Sequence, residues 1–216
     1  MKLVLFDCDG TLVDSAATIH ACMEATFHDA GLTPPSFSET KSVIGLSLDL
    51  AIAKLRDRAV DREIVAMVPR YKEHFLKVRT HPDFHEPLYD GIDDLMNALT
   101  DRDDLLIGMV TGKSRRGVKA VLETHGFEPH FVTSRTADDC PSKPHPAMVL
   151  ECCSETGIDP RDTFVVGDAI YDMQMARSAG ARAIGVSWGY APDDELVAHG
   201  CEQILRTPAD LHLHLT

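Results

Sequence analysis

Hydrophobic positions along the chain fall into two kinds of run. Short, continuously apolar stretches of strand length occur at Lys2–Phe6 (KLVLF), Leu105–Val110 (LLIGMV), Thr163–Val166 (TFVV) and Arg182–Val186 (RAIGV), with a weaker one near His130–Thr133. Between them Arg115–His125, Pro146–Thr156 and Tyr171–Ala179 carry a helical pattern. Each of these is followed by a glycine, Gly126, Gly157 and Gly180, as expected just past a helix C-terminus. Apolar strands that alternate with helices predict a parallel sheet covered on both faces.

One region breaks this rhythm. From Asp14 to about Arg79 there are helical patterns and no convincing strand. Ala16–Ala30 places Ile19, Met23, Phe27 and Ala30 on one face and ends at Gly31; Pro34 and Pro35 then mark a turn. Leu48–Leu55 begins after Ser47, a good N-cap. Ile64, Met67, Val68, Tyr71, Phe75 and Val78 continue the helical period, with Pro69 expected to kink or restart the helix. Pro82 to Gly91 reads as a return linker. The expected architecture is a doubly wound, Rossmann-like α/β core formed by residues 1–13 and 83–216. A helical domain, 14–82, is inserted after the first strand, and its roughly 65 residues suit a small domain.

Composition narrows the partners. Hydrophobic residues make up 44 % of the 216, enough for one substantial core. The net charge is -13 and no Lys/Arg run is present, which argues against nucleic acid and against an anionic membrane surface. No stretch approaches the ~20 apolar residues of a membrane span. Met1–Phe6 runs straight into polar Asp7 without the pattern of a signal peptide. Six cysteines without CxxC spacing make a disulfide framework or a structural zinc site a poor reading, and the expected compartment is the cytoplasm. The eleven histidines contain no HExxH, and neither GxGxxG nor GxxxxGK[ST] occurs.

Ligands of open parallel sheets bind outside the carboxyl ends of the strands. The unusual polar residues gather at those ends: Asp7 and Asp9 after the first strand, Thr111 and Gly112 after Val110, and Gly167-Asp168 after Val166. Lys143 stands in the loop SKPHP before a helix. Asp and Gly are common turn residues singly, but four such segments at one end of a sheet indicate a site.

Together these segments resemble the motifs of the haloacid dehalogenase-like hydrolases. Asp7-Cys8-Asp9-Gly10-Thr11-Leu12-Val13-Asp14 is similar to the first motif and Val110-Thr111-Gly112 to the second. Lys143-Pro144 is similar to the third, and Gly167-Asp168-Ala169-Ile170-Tyr171-Asp172 to the fourth. The four stand in the family's order and span nearly the whole chain. A helical insertion directly after the first motif resembles the cap of the subfamily that includes phosphoglycolate phosphatases.

The resemblance implies a phosphatase acting on a small phosphorylated metabolite through an aspartyl-phosphate on Asp7. Asp9 would protonate the leaving oxygen and then activate water. Phosphate beside several carboxylates needs a cation, and Mg2+ prefers oxygen ligands. The expected ligands are the Asp7 carboxylate, the backbone carbonyl of Asp9, and Asp168. Asp172, one helical turn beyond Asp168, is read as orienting waters or Lys143, with direct ligation the lesser alternative. Lys143 would supply a fixed positive charge, while Thr111 and the Gly112 N–H would hold phosphoryl oxygens. Cys8 should point away from the two aspartates and pack in the core. Asp14 is expected to cap the following helix, with a hinge position the lesser alternative, and Arg115 and Arg116 to lie on a helix surface, with substrate contact the lesser alternative.

Within the superfamily, dehalogenases and phosphonate-cleaving members lack the second acid that Asp9 provides. Mutases resembling β-phosphoglucomutase usually carry His near the position of Ile19, Arg near that of Leu48, and Glu-Asp where this chain has Gly167-Asp168. The stretches Val43–Leu48 and Trp188-Gly189-Tyr190 look most like the phosphoglycolate phosphatase and pyrophosphatase branch. The expectation is therefore a phosphatase with phosphoglycolate-like specificity, as a monomer or homodimer. A pyrophosphatase or phosphosugar mutase is the alternative, and a catalytically idle phosphate- or partner-binding module is the reading from another class.

Overall fold

A computed structural model describes residues 1–81, 84 and 86–215. Pro82, where the return linker was expected to begin, and the expected domain boundary between 82 and 83 lie outside the described residues. The elements run β1 (Lys2–Phe6), α1 (Ala16–Asp29), α2 (Phe37–Lys41), α3 (Leu48–Leu55), α4 (Arg62–Arg79) and α5 (Ile92–Thr100). They continue with β2 (Leu105–Val110), α6 (Arg115–His125), β3 (Thr133–Arg135), α7 (Ala147–Thr156), β4 (Thr163–Gly167) and α8 (Ile170–Ala179). The chain closes with β5 (Arg182–Val186), α9 (Asp193–Ala198), β6 (Gln203–Leu205) and α10 (Asp210–His214).

The six strands form one parallel sheet in the order β3-β2-β1-β4-β5-β6. Side chains alternate between its faces. Val4, Phe6, Phe164, Val166 and Ile184 enter one buried cluster, and Leu3, Leu5, Val165 and Ala183 enter the other. Both faces are thus covered by helices, which is why these strands read as unbroken apolar runs. The helices between β1 and the rest of the sheet bury their own cluster of Met23, Phe27, Ile52, Ala53, Ile64 and Met67. No helix among the described residues is long and apolar enough to cross a membrane.

Three local expectations are corrected. The weak strand lies at Thr133–Arg135, not His130–Thr133, because Glu128–His130 forms a 3-10 turn. Pro69 does not restart its helix, since α4 runs through it. Ser47 precedes α3, but its hydroxyl donates to Asp49 Oδ1 instead of accepting a backbone N–H.

The sheet order places the site. Chain direction across the sheet reverses at β1, because β2 lies on one side of it and β4 on the other. Such a switch point opens a crevice at the carboxyl ends of the two adjacent strands. Phe6 pairs with Val166, so Asp7 leaves β1 beside Gly167, and Asp168 follows at the end of β4.

Candidate active site

Asp7 is anchored at the end of β1 by its N–H, which donates to the Val166 carbonyl at 2.9 Å. Its Oδ1 accepts from the Cys8 N–H at 2.7 Å and lies 2.9 Å from Lys143 Nζ. Lys143 is 0 % exposed and also donates to Asp172 Oδ1 at 2.6 Å. Asp172 Oδ2 accepts from the Ala169 N–H at the start of α8. Asp168 is held by the Thr11 hydroxyl on Oδ1 and the Tyr190 N–H on Oδ2, each at 2.9 Å. A Cβ on Gly10 would fall 2.2 Å from Asp168 Oδ2, and its φ of +87° is open mainly to glycine, so this turn needs that residue.

The buried charges do not balance. Asp7, Asp168 and Asp172 offer carboxylate oxygens within 4.8 Å of one another, against the single ammonium of Lys143. Burial pushes the Asp7 carboxyl up to about 7; Lys143 opposes this, while Asp172 and Asp9 add to it. Asp168 is pushed well above the usual carboxylate range by burial, then by Asp7 and Asp172. Burial alone would depress Lys143, but Asp172 and Asp7 outweigh it and hold the ammonium charged. Asp7 Oδ2 is buried and has no hydrogen-bond partner. An orphaned carboxylate oxygen beside uncompensated acids fits a hard divalent cation such as Mg2+, whose ligands are oxygens. Asp172 is ion-paired to Lys143 and also lies in the carboxylate cluster with Asp7 and Asp168.

Asp9 belongs to a second cluster that sequence reading missed in part. Its Oδ1 accepts from Lys113 Nζ and from Ser15 Oγ, both at 2.6 Å. Lys113 Nζ also lies 3.1 Å from Glu86 Oε1, and all three of these charged side chains are largely buried. Lys113 stands two residues beyond Thr111 in the same strand-end segment, a signal that could have found it. Glu86 comes from the return stretch and carries no motif. Asp14 does not cap α1: Ser15 is the N-cap residue and spends its hydroxyl on Asp9, while exposed Asp14 accepts from the Tyr190 hydroxyl at 3.3 Å.

Thr111 is buried at the end of β2, and its Oγ1 accepts the Lys113 N–H at 3.2 Å. Gly112 lies under the loop from the helical insertion, where a Cβ would meet the Gly45 and Leu46 carbonyl oxygens at 2.5 and 2.6 Å. Further polar contacts join insertion and sheet: the Ser47 N–H donates to Ser142 Oγ, the Tyr171 hydroxyl to the Ser42 carbonyl, and Lys54 to Tyr171 Oη. Between them a cavity of about 610 Å³ has Asp9, Gly112 and Lys113 in its wall. Cys8 is buried in the cluster that holds Val4 and Phe6. Arg115 pairs with Asp139 on the surface.

A family model described as haloacid dehalogenase-like hydrolase matches residues 4–186. A phosphoglycolate phosphatase from Chromobacterium violaceum is 33 % identical over 98 % of this chain and 95 % of its own. An N-acetylmuramic acid 6-phosphate phosphatase from Pseudomonas aeruginosa is 31 % identical over 98 % of this chain and 93 % of its own. Among solved structures, a haloacid dehalogenase-like family hydrolase from Streptococcus pneumoniae superposes with a TM-score of 0.82 at 21 % identity. It covers 100 % of this chain and 99 % of its own, so the likeness extends to the helical insertion.

Proposed function

The chain belongs to the haloacid dehalogenase-like hydrolases, and on that premise we propose that it hydrolyses phosphate monoesters of small metabolites at Asp7. The observation that carries this is the buried, unpartnered Oδ2 of Asp7 at the sheet's switch point. One carboxylate oxygen is fixed by Lys143 and a backbone N–H, which leaves the other free to react.

An Asp7 oxygen attacks phosphorus and the P–O bond to the alcohol breaks, while Asp9 gives its proton to the departing oxygen. Asp9, now a carboxylate, takes a proton from water as that water attacks the aspartyl-phosphate. Inorganic phosphate leaves and Asp7 is restored. Lys113 and Ser15 hold the Asp9 carboxyl in one orientation through both steps. Lys143 keeps a positive charge on the nucleophile, and Thr111 with the Gly112 N–H would receive phosphoryl oxygens. Asp7, the Asp9 backbone carbonyl and Asp168 would hold Mg2+, which supplies positive charge against the phosphoryl oxygens. Asp172 keeps Lys143 in place. The six cysteines, all free, suit the reducing cytoplasm as compartment.

The test is phosphate release from a panel containing phosphoglycolate, pyrophosphate, nucleotides and sugar phosphates, in EDTA and after Mg2+ is restored. Turnover should fall at least about 100-fold in EDTA and return with Mg2+. Equal turnover in both conditions would refute the metal's role, and none from any compound would refute the phosphatase.

Gly112→Ala probes the seam between insertion and sheet. Its Cβ must push the Gly45–Leu46 backbone away by roughly an ångström, a displacement that costs about 100-fold when it misplaces a substrate. Steady-state kinetics should show a loss of about 10- to 100-fold with a small change in melting temperature. Unchanged kinetics would mean that the seam is open during turnover.

A further inference from the structure

Resting on the phosphatase reading, we infer that the alcohol this enzyme releases is bulky, with a ring or branched body whose surface is largely apolar. The cavity beside Asp9 measures about 610 Å³, within the roughly 300–1,000 Å³ of small-molecule sites. Its wall includes Ile19, Met23, Val43, Ile44, Leu46 and Phe75. Because Asp9 protonates the departing oxygen, the rest of the alcohol must lie in this cavity. A two-carbon alcohol would leave most of these apolar side chains against water, and the binding energy of their burial would go unused.

Charge points the same way. A small carboxylate-bearing alcohol such as glycolate would set its anion close to Asp9. The cation there, Lys113, is already shared between Asp9 and Glu86, one ammonium to two carboxylates. Lys72 and Arg116, which also line the cavity, are exposed, and Arg79 is half-buried. The end of the cavity at Asp9 therefore favours an uncharged, apolar neighbour to the ester oxygen. The phosphoglycolate-like expectation rested on the placement of the helical cap and on two loop stretches, whereas the cavity's own lining selects for size and apolar surface.

The experiment compares phosphate esters of primary alcohols, so that the leaving oxygen keeps a similar basicity: ethyl, cyclohexylmethyl and 2-(1-naphthyl)ethyl phosphate, with phosphoglycolate alongside. The bulky esters should show kcat/KM at least tenfold above ethyl phosphate and phosphoglycolate, mostly through KM. Ile19→Trp, which fills the cavity from α1, should shrink that ratio at least tenfold. Turnover of ethyl phosphate and phosphoglycolate with no gain for the bulky esters would overturn this inference and leave the phosphatase standing. Failure to hydrolyse any ester would remove both. Should the tryptophan variant not fold, the series on the unaltered chain decides by itself.

Discussion

Replacing Asp7 with asparagine is expected to abolish phosphate release, by about 10^4-fold or more, and to raise the melting temperature of the metal-free protein. The two effects share one cause. In the fold the Asp7 carboxyl is raised from 3.8 to about 7, chiefly by burial, and its Oδ2 has no partner. Ionising this group is therefore harder in the folded chain than in the unfolded one. Well below pH 3.8 both states are protonated and no penalty exists. Between about 4 and 7 the unfolded state loses its proton first, so folding becomes less favourable as pH rises. Above about 7 the penalty is constant, on the order of 2–4 kcal/mol.

The amide keeps an oxygen for Lys143 and the Cys8 N–H and places a donor among carboxylates. Melting in EDTA should rise by roughly 5–10 °C at pH 8, with the gap shrinking toward pH 4. Mg2+ should narrow the gap, because binding to the native site stabilises the unaltered chain more. A variant that melts lower than the parent at pH 8 in EDTA would show that the site is not charge-frustrated.

What could be read from sequence follows from burial. β1, β2, β4 and β5 are covered on both faces, so their residues had to be apolar and the runs stood out. The strand-end residues Asp7, Asp9, Thr111, Gly112 and Asp168 were visible for the complementary reason, as polar residues abruptly following such runs. Edge strands carry a weaker signal. β3 is Thr133-Ser134-Arg135, paired on one side only, and β6 is three residues long. α4 continues through Pro69 because the missing N–H frees the carbonyl of Val65, an exposed residue where water can serve instead. Glu86 was illegible because its role depends on tertiary placement. A carboxylate in a linker becomes buried only when the return stretch passes Lys113 and Asp9.

Lys143→Met should act on stability with the opposite sign to Asp7→Asn while also removing activity. Methionine matches the lysine's length and suits a position that is 0 % exposed, so packing alone predicts little change. The charge argument predicts much more. Lys143 lies 2.9 Å from Asp7 and 2.6 Å from Asp172, and its loss leaves three buried carboxylates with no cation among the described residues around them. Removing one partner of a buried ion pair costs about 3–5 kcal/mol, which corresponds to a fall of about 10 °C or more in melting temperature. Turnover should drop about 100- to 1,000-fold, as when one fixed electrostatic group is withdrawn from a transition state.

Two further readouts separate this from ordinary damage to the core. Mg2+ should raise the melting temperature of the variant more than that of the parent, since it meets a site with greater excess negative charge. The double variant, Asp7→Asn with Lys143→Met, should be more stable than the two single effects added together predict, because removing the nucleophile's charge relieves what the lost ammonium had balanced. Strictly additive effects of the two changes, with no extra response to Mg2+, would mean that Lys143 serves packing and that the carboxylates are balanced by some other means. The pair of variants thus asks whether the instability of the metal-free fold and its chemistry arise from one set of charges.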